Sequence, residues 1–191
     1  MTKPAELPVI PFKSKKKFAD WLAKNYEVSA GLWLKIAKKA SGISTVTYAE
    51  ALDVALCYGW IDGQKGSFDE NYYLQRFTPR RAKSIWSKIN VQHVERLIAS
   101  GEMKPSGLRA VEAAKQDGRW DAAYASQKNI EVPADFQSAL EKNRKAKTFF
   151  ESLTNSKRYP FLFRVTTAKK TETREKRIRQ FIEMLERRET F

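Results

Sequence analysis

The stretch between residues 56 and 90 limits the possible folds of this chain more than any other. It leaves a helical pattern through Gly59, alternates with a period of two from Trp60, crosses a turn-rich segment at residues 66–71 and then alternates again. Two alternating runs joined by a short turn-rich segment predict an antiparallel β-hairpin. Because helical patterns lie on both sides of this hairpin, the chain must combine helices with an antiparallel sheet.

The predicted fold class is therefore α+β, with a small sheet covered by helices. A further run with β-strand character begins after Gly31, where apolar and other residues alternate loosely. Together with the hairpin it predicts a three-stranded antiparallel sheet. The three strands are expected at roughly Leu32–Lys38, Trp60–Lys65 and Tyr72–Thr78.

The hairpin also predicts a pair of opposite charges. If its turn is centred near Asp69, Asp62 lies opposite Arg76 on one face of the sheet. Such a cross-strand pair stabilises a sheet by about 0.2–1 kcal/mol. A slip of one residue would move the two side chains to opposite faces, so the pairing depends on the register.

Capping residues predict where several helices begin. Ser14 precedes a helix with a single apolar stripe. Thr47 and Glu50 have the spacing of a capping box, in which each side chain binds the other residue's amide. Asn90 is predicted as the N-cap of a helix that ends near Gly101.

Patterning divides the chain into two regions. Residues 1–120 are predicted to form the α+β main domain, and residues 121–133, where the periodicity weakens, a connection. Residues 134–191 carry short amphipathic patterns, none with enough apolar surface to fold as an isolated helix. A C-terminal helical subdomain is therefore expected.

The chain is strongly basic, with a formal net charge of +14. Residues 142–189 contain 15 Lys and Arg against 6 Asp and Glu, so 15 − 6 = +9 of the charge lies in this segment. A basic surface attracts polyanions without selecting among them. A solvated face that only keeps the protein soluble is the alternative.

Cysteine content and hydropathy predict a cytoplasmic protein. Cys57 is the only cysteine, which excludes an intramolecular disulfide, and its helical pattern predicts a small buried hydrophobe. The first residues lack the apolar core of a signal peptide, and no apolar run approaches the ~18 residues of a membrane span. No membrane insertion is expected.

A basic corner follows the hairpin, at Thr78, Arg80, Arg81 and Ser84. Arginine forks and helix N-termini both suit carboxylate or phosphate oxygens, so this corner is a candidate site for an anionic small molecule or an acidic macromolecule. Alternatively, the arginines pair with nearby carboxylates and hold the hairpin in place. The carboxylates that would serve are Asp62, Asp69 and Glu70.

Two tryptophans flank the corner, and they complete the candidate site. Trp60 and Trp86 could stack on a ligand ring or on a guanidinium. The alternative is that both are core residues whose N–H groups are satisfied at the rim. The candidate ligand-binding set is Trp60, Asp62, Arg76, Thr78, Arg80, Arg81, Ser84, Trp86, Ser87 and Asn90.

The sequence shows no pattern for catalysis, a metal or a cofactor. His93 is the only histidine and is interpreted as a helix-surface residue, since no second His or Cys accompanies it. Asp62 with Asp69 or Glu70 could act as an acid/base pair, but a turn separates them. Enzymatic activity is therefore less favoured than binding.

Nucleic-acid binding is the alternative function. The last helical pattern places Arg174, Lys176 and Arg177 outside an apolar stripe, where they could contact phosphates. A helix surface stabilised by pairs of glutamate and arginine is the other reading of these residues. The chain contains no recognisable nucleic-acid-binding motif, which makes this alternative weaker.

Four segments resemble the YdeI/OmpD-associated family, also called OmdA or bacteriocin-protection proteins. They are residues 51–64, 76–90, 101–107 and 168–185. The resemblance implies a binding or stress-protection role, with no cofactor and no catalytic residue to carry over. It also implies that the site lies in these segments, which adds Gly63 and Pro79 to the candidate residues. The family name implies protection against antimicrobial peptides and contact with a porin, although a chain of charge +14 would repel a cationic peptide.

Overall fold

The computed structural model describes residues 6–191, so residues 1–5, where the predicted main domain starts, lie outside the described residues. Within this range the chain forms eight α-helices and four strands, which confirms the α+β class. Two compact units can be distinguished: residues up to Trp86 with Asn90–Ala122, and Ser87–Ile89 with Ala123–Phe191. The predicted domain limits themselves stay a prediction.

The N-terminal unit holds the described strands and most of the first four helices. The strands are β1 (Val9–Pro11), β2 (Leu32–Ala37), β3 (Trp60–Ser67) and β4 (Tyr72–Pro79). The helices are α1 (Lys15–Asn25), α2 (Tyr48–Cys57), α3 (Lys88–Ala99) and α4 (Pro105–Gln116).

The sheet has the strand order β1-β2-β4-β3. The prediction of three antiparallel strands was wrong, because β1 adds a fourth strand that runs parallel to β2. The amide of Trp33 donates to the carbonyl oxygen of Pro8 at 2.9 Å beside this pairing. Proline has no amide hydrogen and fits only at an edge, so three residues that include Pro11 do not look like a strand in the sequence.

The hairpin forms as predicted, but its register differs. Ser67 pairs with Tyr73, which centres the turn one residue later than Asp69. A bulge between Asp62 and Lys65 then shifts the pairing back by one residue, so that Asp62 pairs with Phe77 rather than with Thr78.

Asp62 therefore lies opposite Phe77, and the predicted pair of Asp62 with Arg76 is wrong. The buried side chain of Gln75 stabilises the bulge, since its Nε2 donates to the carbonyl oxygens of Gly63 and Gln64 at 2.9 and 3.3 Å.

Helices cover the sheet face that carries Leu32, Leu34 and Ile36, all of which are buried. The C-terminal end of α2 also meets α4 closely. A Cβ atom at Gly107 would lie 2.2 Å from the carbonyl oxygen of Cys57, so only glycine allows this approach. Cys57 is buried at this junction, as its pattern predicts.

The predicted caps are confirmed for α1 and α2 and wrong for α3. Ser14 accepts from the amide of Lys17, and Thr47 and Glu50 form both bonds of the capping box. Helix α3 begins at Lys88, so Asn90 lies inside its first turn. The amide of Lys88 has no acceptor within the helix and donates instead to the carbonyl oxygen of Tyr124, at 2.9 Å, which supports the earlier start.

The C-terminal unit is built mainly of α5 (Ala134–Glu141), α6 (Arg144–Ser152), α7 (Asn155–Thr166) and α8 (Thr171–Glu186). Every one of these helices contributes side chains to a single core. Three rings at its centre pack edge-on, with Phe161 5.3 Å from Phe181 and 6.5 Å from Phe150. The packing supplies the apolar contacts that short helices need.

Candidate functional site

The two tryptophans of the predicted site are core residues. Trp60 is 1% exposed, and its Nε1 donates to the carbonyl oxygen of Tyr26 at 3.1 Å. Its ring meets Trp21 edge-on at 6.0 Å. Trp86 is 2% exposed and packs against Trp120 with 4.9 Å between the ring centroids. Burial of both rings favours the core interpretation over stacking on a ligand.

Arg80 and Arg81 have different surroundings. The guanidinium carbon of Arg80 lies 3.5 Å from the ring centroid of Trp86, and its Nη1 donates to the carbonyl oxygen of Ile85 at 3.3 Å. Arg81 is exposed, and its amide donates to Ser84 Oγ at 3.0 Å. In the part of the chain that the structure describes, the Arg81 side chain makes no ion pair.

The acidic residues near the corner have other partners. Asp62 Oδ2 accepts from the hydroxyl of Tyr48 at 2.8 Å. Asp69 lies 3.8 Å from Lys35 Nζ, and its Oδ1 accepts from two backbone amides of the turn. Arg76 is half-buried, and its Nη1 donates to Gln64 Oε1 at 3.4 Å. Asp62 and Asp69 therefore have partners other than the corner arginines.

The remaining predicted residues lie in the sheet and at the start of α3. Thr78 pairs with Ile61 in the hairpin. Ser87 forms an isolated bridge with Tyr124. Four of the predicted residues, Thr78, Arg80, Ser84 and Trp86, thus lie within one short segment of the chain. A ligand-binding role for this corner stays a prediction.

A different group of residues forms an open cleft of about 710 Å³ in the N-terminal unit. The cleft is lined by Lys38, Lys39 and Lys65, and we call it the lysine cleft. Its lining contains no aspartate or glutamate; the other lining residues are Ile36, Ala37, Gly42, Ile43, Ser44, Thr45, Thr47, Tyr48 and Tyr73. A neighbouring cleft of about 590 Å³ shares the three lysines and Tyr73, which makes one continuous basic surface.

The strand pairing brings these residues together. Tyr73 on the central strand β4 lies between Ile36 of β2 and Ser67 of β3. Lys38 follows the end of β2, where its amide donates to Asn71 and its Nζ donates to the carbonyl oxygen of Asp69, at 2.7 and 2.8 Å.

The loop after β2 forms the opposite wall. A 3₁₀ turn at Lys39–Ser41 is followed by Gly42 in the left-handed conformation, with φ 68°. Thr45 Oγ1 then accepts from the amide of Ala37 at 3.0 Å and pins the returning loop to β2. The backbone of the cleft is therefore preorganised.

Two tyrosines supply the aromatic part of the lining. Lys65 Nζ lies 4.4 Å from the ring centroid of Tyr73, a cation–π contact. Burial raises the pKa of Tyr73. Burial, followed by the hydrogen bond to Asp62, raises the pKa of Tyr48. Both phenols are therefore neutral at physiological pH. The Tyr48 hydroxyl donates to Asp62, and the Tyr73 hydroxyl can donate to a ligand.

The N-terminus of α2 also reaches the cleft, through Thr47 and Tyr48. A helix N-terminus favours negative charge. Glu50 partly offsets this effect, because its carboxylate accepts from the amide of Thr47 at 2.8 Å. That hydrogen bond, together with the hydroxyl of Thr47, lowers the pKa of Glu50. The lysines remain the main source of positive charge in the cleft.

Comparison with known families matches both parts of the chain. Residues 10–110 match a family described as a domain of unknown function (DUF8412), and residues 129–188 match the family described as bacteriocin-protection, YdeI or OmpD-associated (OmdA). The chain belongs to the DUF8412 family and carries an OmdA domain. No curated protein and no solved structure gave a significant match.

The resemblance to the OmdA family is confirmed, but its extent is narrower than expected. Of the four segments that carry it, only residues 168–185 lie in the OmdA match. The other three, at residues 51–64, 76–90 and 101–107, fall within the DUF8412 match. The lysine cleft therefore belongs to the DUF8412 domain.

The basic residues predicted to bind nucleic acid lie on α8 of the OmdA domain. Arg174 pairs with Asp135, at 2.5 Å, and also donates to the carbonyl oxygen of Val165 at 2.8 Å. Arg177 donates to the carbonyl oxygen of Arg164 at 2.5 Å. Lys176 is exposed. Two of the three side chains thus stabilise the packing of this domain, which weakens the case for a phosphate-contacting face.

Sequence reasoning missed a charged cluster in the DUF8412 domain. Asp53 Oδ1 lies 2.8 Å from His93 Nδ1 and 2.6 Å from Arg96 Nη2, so α2 and α3 are joined by one carboxylate. Burial alone would raise the pKa of Asp53, but the hydrogen bonds from Arg96 and His93 outweigh it and lower the pKa. Lys15 and Glu102 form a second ion pair, at 2.9 Å.

Two further findings concern the described residues only. No group of His, Cys, Asp or Glu side chains there is arranged to hold a metal ion. None of the helices between residues 6 and 191 combines the length and the apolar character needed to cross a membrane.

Proposed function

We propose that the DUF8412 domain binds an anionic small molecule in the lysine cleft. The observation that carries this proposal is the convergence of Lys38, Lys39 and Lys65 on a cleft whose lining contains no carboxylate. A volume of about 710 Å³ lies within the ~300–1,000 Å³ of small-molecule sites. An anion there would be held by ammonium groups and by hydroxyls.

The ligand we propose carries an aromatic or apolar group beside its anionic group. Tyr73 provides a partly buried wall for such a group, and Ile43 and Tyr48 provide a more exposed one. This retains the expected class of function, a binding protein for an anionic ligand, and places the site in the sheet rather than at the arginine corner. The OmdA family description names bacteriocin protection, and a stress-protection role is the context we propose for this binding.

The experiment is a thermal-shift measurement with inorganic pyrophosphate, AMP and ATP at millimolar concentration. A ligand present at about 100 times its dissociation constant stabilises the folded state by about 2.7 kcal/mol. We expect AMP or ATP to stabilise the protein more than pyrophosphate, because only the nucleotides add a ring to the charge.

A charge-matched pair of variants assigns the effect to the cleft. Lys39→Gln with Lys65→Gln should abolish the ligand-induced shift. Lys13→Gln with Lys24→Gln removes the same charge from exposed positions outside the cleft and should leave the shift intact. Equal loss in both variants, or no shift with any of the three anions, would contradict the proposal.

A further inference from the structure

A second basic groove lies in the OmdA domain, separate from the lysine cleft. It has a volume of about 940 Å³ and runs along α6 to the end of α8. Its lining residues are Arg144, Lys145, Thr148, Phe149, Ser152, Glu186 and Arg188, and we call it the OmdA groove. The residues from α6 recur three and four positions apart, so they form one stripe that is about 12 Å long.

The charge of the OmdA groove is unbalanced. Arg144, Lys145 and Arg188 make no ion pair with any residue that the structure describes. The one lining carboxylate, Glu186, accepts from Asn143 Nδ2 at 3.0 Å. Three cations thus face one engaged carboxylate, and the groove has a net attraction for negative groups.

Arg188 has an unusual backbone conformation. With φ 58° it is the only described residue other than glycine in the left-handed region. The amides of Arg188 and Glu189 donate to the carbonyl oxygens of Leu185 and Met184, at 3.1 and 2.8 Å, which is the pattern of a Schellman motif. Glycine is the favoured residue at this position, and arginine is strained there. Despite this strain the position holds an arginine, and its side chain lines the groove.

The composition of the lining points to a peptide rather than to a small molecule, because Phe149 is its single apolar side chain, whereas the lysine cleft has two isoleucines and two tyrosines. Small-molecule sites are lined mainly by apolar side chains that bury most of their ligand. Phe149 is half-buried, but the other lining side chains are polar or charged and exposed. Clusters of arginine beside an aromatic residue are typical of surfaces that recognise acidic motifs.

We propose that the OmdA groove docks an acidic peptide segment of a partner protein. Carboxylates of the segment bind Arg144, Lys145 and Arg188, and an apolar side chain of the segment packs on Phe149. Arginine forks bind carboxylates with two parallel hydrogen bonds, so they select for the geometry as well as for the charge. The site is independent of the lysine cleft.

The test uses the full chain and a dye-labelled synthetic peptide in which glutamates flank one phenylalanine. Fluorescence anisotropy at constant salt measures its affinity. We expect Arg144→Gln with Arg188→Gln to weaken binding by ~10-fold or more, as a loss of two anchoring contacts does. Lys176→Gln with Arg179→Gln removes the same charge from exposed positions of α8 outside the groove, and should change affinity by less than about twofold.

The variant Arg188→Gly separates binding from folding. Glycine relieves the left-handed strain, so this variant should melt at a higher temperature and yet bind the peptide more weakly. A purely structural role for Arg188 would make the melting temperature fall or leave peptide affinity unchanged.

Other outcomes would overturn the proposal. Equal weakening by the two double variants would mean attraction to the overall charge rather than docking in the groove. A peptide with alanine in place of its phenylalanine that binds equally well would exclude the contact with Phe149. Tighter binding of single-stranded DNA, lost specifically in the groove variant, would make the groove a nucleic-acid site. Full competition by pyrophosphate would make it a small-anion site.

Discussion

Arg80 and Arg81 adjoin in the sequence, yet the structure gives them different roles. Arg80 stacks on Trp86 and donates to a backbone carbonyl, whereas Arg81 is exposed. Replacing Arg80 by Gln removes the cation–π contact and should lower the free energy of unfolding by about 1–2 kcal/mol. Replacing Arg81 by Gln should change it by less than about 0.5 kcal/mol.

Urea denaturation of the two single variants measures this difference, and Arg81→Gln is the matched control. Two equally stable variants would show that the stack on Trp86 contributes little. Two equally damaged variants would show that Arg81 also supports the fold, which would exclude it as a residue reserved for a ligand.

At the scale of elements, one carboxylate connects two helices. Asp53 on α2 binds His93 and Arg96 on α3 and is 17% exposed. Asp53→Asn removes the charge from these hydrogen bonds and should lower the free energy of unfolding by about 1–2 kcal/mol at pH 7. Asp20→Asn is the control, because Asp20 makes an exposed pair with Lys16 and should matter little.

The same variant should show a definite pH dependence. The pKa of Asp53 is lowered below its ordinary value of 3.8, so the folded state favours the charged carboxylate. This stabilisation is fully present above the ordinary pKa and is lost as the pH falls through the lower, folded-state pKa. Urea denaturation should therefore show the difference between wild type and Asp53→Asn shrinking below pH 3.8. A difference that stays constant into the acid range would contradict the assignment.

Elements whose signals are local were predictable from the sequence. The capping box at Thr47 and the hairpin both follow from residues a few positions apart. Strand β1 was missed because three residues with a proline carry too short an alternation to be recognised. The register was missed because the turn is centred one residue later than expected and because the bulge depends on the packing of Gln75. Alternation alone encodes neither feature.

The candidate sites were harder to predict because they depend on pairing across the fold. Lys38 and Lys65 are far apart in sequence and become neighbours only through the order of the strands. His93 was predicted as a surface residue, and its partner Asp53 lies 40 positions away. Trp60 and Trp86 are candidates for stacking on a ligand by residue type, but their burial gives them a structural role.

For the molecule as a whole, the net charge of +14 predicts a background of non-specific attraction to nucleic acid. If the protein binds duplex DNA through this charge, affinity should fall by orders of magnitude between about 50 and 200 mM salt. Anisotropy with two labelled duplexes of unrelated sequence measures it, and both should respond alike. Affinity that depends on sequence, or that is insensitive to salt, would instead indicate a dedicated nucleic-acid site.

The strand order has a consequence for behaviour at high concentration. In the sheet β1-β2-β4-β3, the outer strands are β1 and β3. Each is a poor template for another chain, because β1 ends in Pro11, which has no amide hydrogen, and β3 is interrupted by its bulge and carries Lys65. Proline, bulges and lysine are the features by which natural sheets resist edge-to-edge aggregation. The bulge that places Asp62 opposite Phe77 therefore also disfavours edge-to-edge growth of this sheet into fibres.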